Sequence, residues 1–166
     1  STDTASYGDL YQWGRRADGH QCRNSDTTGT LSTSDQPSHG DFIPFGVAPF
    51  DWRNPQNDNL WQGLNGTNNP CPSGYRIPTE DEWESEHASW SSDNAAGAIT
   101  SPLKLPLAGY RFYSNGSLFG IGNHGCYWST AVDGDRARSL CFLPIGDVDI
   151  YNNGRSSGFS VRCIKD

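Results

Sequence analysis

NPCPSGYRIPTEDEW, residues 69–83, with its continuation to Trp90, holds the clearest local signal in the chain. Thr79 and Glu82 form a Thr-x-x-Glu capping box, and acidic side chains crowd the turns that follow. The spacing predicts a helix from about Glu80 to Ser89. Trp83, His87 and Trp90 recur at helical intervals and mark its buried side, leaving Glu80 and Glu84 to water. A short second helix is expected over 92–98.

On the C-terminal side the pattern changes from helical to extended. Beyond Pro102 the runs LKLPLAGYRFY, GCYWST, RSLCFL and GFSVRCI read as strands, with a Ser-Asn-Gly-Ser turn at 114–117. In RSLCFL, Leu140 and Phe142 fall on one face and Ser139, Cys141 and Leu143 on the other. Val148 and Ile150 likewise point inward while Asp147, Asp149 and Tyr151 point out. The residues that alternate with these four apolar ones are expected to share one solvent-facing platform.

On the N-terminal side, Tyr7, Leu10, Tyr11 and Trp13 make an aromatic stretch that packs on the core as a strand. Residues 24–40 are Ser-, Thr-, Asp-, Gly- and Pro-rich and form a long surface loop. Residues 41–70 bring Phe42, Phe45, Phe50, Trp52, Leu60 and Trp61 without any period, as an irregular layer laid against the core. The fold class is therefore α+β, loop-rich, with short antiparallel strands and one or two helices.

Composition bounds the function. The 166 residues suit one domain, 1–166, and the six Trp supply burial that short aliphatic runs lack. A formal charge of −7 repels a phosphate backbone, which argues against nucleic acid. Only Lys104 and Lys165 are lysines and no basic run exists to hold an anionic bilayer. No apolar stretch is long enough to span a membrane, and no leader pattern opens the sequence, so the chain reads as a mature or trimmed soluble form without membrane insertion. Five Cys allow one or two disulfides with at least one thiol left over, in keeping with an oxidising compartment.

Several constellations resemble chemistry and read better as structure. Gly120-Ile-Gly-Asn-His-Gly125 matches the dinucleotide pattern in letters, but a strand follows it where a helix is required. Glu80, Glu82, Glu84 and Glu86 sit where the helix dipole favours acids, and alternate positions do not face each other. His20 and Cys22 lack the further ligands of a closed zinc shell. No metal, cofactor or catalytic residue is expected. Asn65-Gly-Thr and Asn115-Gly-Ser are read as turns.

The words NPCPSGYRIPTEDEW, LPLAGYR (105–111), GCYWST (125–130) and GFSVRCIKD (158–166) resemble the Fibrobacter succinogenes major paralogous domain family, which has a C-type-lectin-like fold. YGDLYQWGRRADGH (7–20) and DWRNPQNDNLWQG (51–63) resemble its longer members, so the likeness covers nearly the whole chain. It implies a Cys71–Cys163 disulfide and an extracellular or cell-surface setting, or a virion. The C-terminal third, about 121–164, also resembles variable regions diversified by retroelements. That likeness implies ligand-contacting positions at Cys126, Arg136, Ser139, Cys141, Leu143, Gly146, Asp149 and Tyr151, with Asp133 and Phe159 as further slots. With Arg138 they carry the aromatic and Arg content of a contact surface. The triplets of calcium-dependent sugar lectins are absent from the places that need them. The resulting expectation is a non-catalytic display module binding a protein or glycan, its oligomeric state open. Two alternatives stand beside it: a structural module of a surface or fibre protein, and a catalyst resembling formylglycine-generating enzymes, for which Cys126 and Cys141 could be neighbouring thiols.

Overall fold

The computed structural model describes residues 4–166. In chain order the strands and helices are β1 (Tyr11–Gln12), β2 (Tyr75–Arg76), α1 (Glu80–Ala88), α2 (Ala95–Thr100), β3 (Tyr110–Arg111), β4 (Leu118–Phe119), β5 (Gly125–Asp133), β6 (Arg136–Phe142), β7 (Val148–Gly154), β8 (Gly158–Phe159) and β9 (Ile164–Lys165). They form three antiparallel sheets: β1-β8-β3-β4, β2-β9 and β5-β6-β7.

α1 begins where its capping box places it. Thr79 accepts from the Glu82 amide and the Glu82 carboxylate accepts from the Thr79 amide. Arg76 grips the same carboxylate at 2.8 Å, and this bond, with the backbone donor, holds Glu82 down to about 2. Trp83 is buried and Glu84 exposed, as the period requires, but Glu80 differs: it takes the Arg138 guanidinium at 2.5 Å. The second helix starts three residues later than expected because Asn94, not Ser92, receives the free amides of its first turn. The stretch before β3 is extended only at Tyr110–Arg111; Pro102 and Pro106 interrupt what looks strand-like in one dimension.

The central sheet separates two cores. On one face Tyr127, Leu140 and Phe142 pack with Trp83, Trp90, Ala98 and Leu105 beneath the helices, and Val148 and Ile150 close the edge of this cluster. On the other, Trp128, Ala137 and Cys126 pack against Trp13, Ile43, Trp52, Leu60 and Trp61 from the irregular first half. All six indoles donate hydrogen bonds, five of them to main-chain carbonyls: Trp13 to Ser129, Trp52 to Trp13, Trp61 to Asn68, Trp83 to Trp128 and Trp128 to Tyr11. Each of these five rings thus fills volume and satisfies a main-chain carbonyl in the interior.

Buried polar side chains do the same for the loops. Gln12 donates to the Ile43 and Ser156 carbonyls and accepts from the Ile43 amide and from Arg15. Arg15, fully buried over Trp52, also reaches the Asp41 and His39 carbonyls and the Asp18 carboxylate. Arg111 lies 4.1 Å over Phe42 and binds carbonyls of Cys22, Ser25 and Gly116. The guanidinium fork, with five donors, suits several carbonyls at once. The 24–40 segment forms no regular element; it is held at Thr27–Phe42 and Ser32–Arg53 bridges.

Cys71 and Cys163 are disulfide-bonded across 92 residues, beside the β2–β9 pair, and tie the approach to α1 to the chain's last strand. Closing so long a loop stabilises by about 4–5 kcal/mol in the chain-entropy model. A second disulfide joins Cys126 and Cys141, which face each other in the β5–β6 register with Cα atoms 4.2 Å apart. Cys22 is free and exposed.

Candidate functional site

A hollow of about 290 Å³ opens on the face of the central sheet opposite the helices. Pleat and register decide which side chains reach it. Cys126, Cys141 and Asp149 occupy one row of paired positions, and Trp128, Ser139 and Tyr151 the next, so these six side chains leave the sheet on the same side. The deeper part of that side is roofed by the Trp13–Trp52–Trp61 layer, and the shallower part is left open.

The Cys126–Cys141 disulfide forms the floor. Tyr151 makes one wall, hinged to the β6–β7 turn by its hydroxyl, which donates to Asp147 Oδ1 at 2.5 Å. That bond, made in the neutral form of the phenol, pushes its pKa up to about 12. The opposite wall comes from the β3 region: Tyr110 stands edge-on to Phe159 and His124, and Phe112 lies 4.6 Å from Tyr113, whose ring meets Phe50. Asn152 and Asn153 complete the β7 side, with Asn153 donating to Ser139 Oγ at 2.9 Å. Among the described residues, no Lys or Arg lines the hollow.

The turn beside it has left-handed backbone at Gly146 (φ 61°) and Asp147 (φ 55°), residue types that tolerate that region. Ile145 at its tip is 90% exposed, a large apolar side chain with nothing to cover it.

The expected contact positions divide into groups. Cys126, Cys141, Leu143 and Tyr151 line the hollow; Asp149 and Gly146 are exposed on β7 and in the turn before it but do not line it. Ser139 is on the right face but completely buried, held by Asn153. Cys126 is 5% exposed, so it floors the hollow as half of a disulfide. Arg138 pairs with Asn152 on the Leu140 side of β6 and is drawn to helix α1 by Glu80. Arg136 sits at the start of β6, 3.6 Å over the Phe50 ring and 3.3 Å from Asp135. The expected solvent-facing platform is a partly buried, concave half-sheet, and the two arginines do not join Tyr151 on it. Of the two further slots, Phe159 belongs to the wall, whereas Asp133 accepts from Asn152.

Sequence reasoning missed Tyr110, Phe112, Tyr113 and His124, and it set Asp147 outward without naming it as a contact. The first three fall in the run read as a strand, and nothing in one dimension brings 110–113 to 147–153. The Gly120–Gly125 stretch is a turn in which His124 packs against Gly120, leading into β5. His20 is fully buried, accepting from the Gln12 amide at Nε2 and bonding Asp18 through Nδ1. Among the described residues no group of three or more His, Cys, Asp or Glu converges as metal ligands, and no helix is long and apolar enough to cross a membrane.

No family model, curated protein or solved structure matches the chain.

Proposed function

We propose that the chain is an extracellular C-type-lectin-like recognition module, akin to the Fibrobacter succinogenes major paralogous domain, that binds a protein or glycan at the hollow over β5-β6-β7. The observation that carries this reading is the open, aromatic-walled concavity lined by Tyr151 and Leu143. Ring-rich concave surfaces with few rigid polar groups are the ordinary form of a binding site.

The fold assignment draws support from the pairing of β1 with β8 and from the Cys71–Cys163 bond that the resemblance implied. Two disulfides favour an oxidising, extracytoplasmic compartment. Retroelement-type diversification is favoured by the position of Leu143, Gly146, Asp149 and Tyr151 on exposed or half-exposed backbone around the hollow, where substitution leaves the core untouched. In this reading the floor and the indole-pinned layer are scaffold, and the rim selects the partner.

The test is binding of the wild-type protein to arrays of glycans and of purified extracellular proteins, followed by Tyr151→Ala and Leu143→Ala. A ligand whose affinity falls at least about tenfold in either variant, with Tm unchanged, is expected. Ligands indifferent to both variants point to another surface, and none bound leaves a structural module.

The adjacency of Cys126 and Cys141 favours a second reading, a thiol-dependent catalyst. Reduced protein that binds copper stoichiometrically through these two thiols would support it; failure to bind metal removes it.

A further inference from the structure

The hollow's chemistry narrows what it accepts. Its walls are rings, Tyr110, Phe112, Tyr113 and Tyr151, whose faces carry negative quadrupole potential, and its acidic group is Asp147. Among the described residues no cation lines it to answer that potential. Outside the hollow the molecule already places a cation on a ring: Arg136 lies 3.6 Å over Phe50, and its charge is met by Asp135. The three buried arginines Arg15, Arg111 and Arg155 stack on Trp52, Phe42 and Trp13 in the same way, each with its own carboxylates or carbonyls. In the hollow the rings and the carboxylate are present and the guanidinium is what a partner would bring.

Beside it runs β7, the terminal strand of the central sheet, seven residues long with no strand paired to its outer edge among the described residues. Tyr151, Asn152 and Asn153 belong both to this strand and to the wall of the hollow. An extended segment laid along β7 could satisfy main-chain groups there while turning one side chain over the rim. Asp149, exposed on the same strand, and the chain's net charge of −7 favour a basic segment.

Resting on the binding reading above, we infer that the hollow receives an arginine side chain presented by an extended segment of a protein partner. The guanidinium stacks against the tyrosine walls and pairs with Asp147, whose second oxygen remains for it while the first holds the Tyr151 hydroxyl.

The test uses the tripeptide amide acetyl-Thr-Arg-Thr and its citrulline counterpart, which keeps the planar shape but replaces the cation by a neutral ureido group with three donors and one acceptor. Each is titrated into the full chain labelled with nitrogen-15, at low salt. The arginine peptide is expected to bind about fivefold or more tighter than the citrulline one, with shifts centred on Tyr151 and Asp147. Asp147→Asn, which suits the left-handed backbone there, should bring the ratio close to one. Equal binding of the two peptides, a preference that survives Asp147→Asn, or choline binding in place of the arginine peptide overturns the inference. If array ligands still depend on Tyr151 while the peptides show no charge preference, the binding site stands and only its arginine occupant falls; loss of both removes both.

Discussion

His20 and Asp51 are titratable side chains held in the interior with opposite effects on stability. Burial drives the His20 pKa down to about 4, although the Asp18 carboxylate works against it. The unfolded chain takes up a proton near 6.5, so between 6.5 and 4 the native state binds fewer protons, and stability falls as the pH drops through that window. Burial raises Asp51 to about 6 despite Arg155 at 3.8 Å. Here the native state keeps a proton that the unfolded chain releases near 3.8, so acidification from 6 towards 4 adds stability. The two largely offset each other over the shared range. Asp51→Asn should therefore steepen the acid loss by up to about 1.4 kcal/mol per pH unit between pH 6 and 4. Urea unfolding at pH 7, 5.5 and 4.5 measures the slope, and a slope equal to wild type would contradict the burial argument. His20→Gln keeps an acceptor within reach of the Gln12 amide and leaves the Asp51 gain unopposed, so stability should rise as the pH falls from 6 to 4.

Elements here are short, so their ends matter more than their interiors. α1 rests on one capping box, and Thr79→Ala should cost about 1 kcal/mol, read as a lower urea midpoint with unchanged slope. β5 begins at Gly125 because Phe142 of the paired position lies over it: a Cβ there would come within 2.3 Å of the Phe142 ring. Gly125→Ala should destabilise by roughly 1–3 kcal/mol through overpacking, measured by the same unfolding curve. How much of this was legible follows from range. Thr79, Glu82 and Trp83 speak through neighbours three or four residues away, and the Leu140–Phe142 alternation speaks through its own pleat; both were readable. Tyr110, Phe112 and Tyr113 reach Tyr151 only because β3 pairs with β8 while β7 pairs with β6, an arrangement set by contacts some forty residues apart. Arg138 was misassigned for a related reason. Its place along β6 was clear, but its partner Glu80 lies 58 residues away on a helix read as solvated there.

For the molecule as a whole, the irregular first half has little secondary structure to hold it, and long-range ties take that part. The Cys71–Cys163 bond spans the greater sequence separation of the two disulfides, 92 residues. Replacing both cysteines with Ser should lower stability by about 4 kcal/mol, seen as a large fall in Tm, whereas replacing Cys126 and Cys141, whose separation is 15 residues, should cost less. An equal loss from both pairs would show that strain or packing, not loop closure, sets their contribution. The second pair should instead alter ligand binding, since it floors the hollow and the first lies by the β2–β9 pair.

The tryptophans supply one more consequence. All six are buried, and none of them borders the hollow, whose rings are Tyr, Phe and His. Ultraviolet emission excited selectively in the indoles is thereby a gauge of folding that stays blind to occupancy: it should redden when the chain unfolds and hold constant as the hollow fills. A titration that moves this signal would be reporting a rearranged interior.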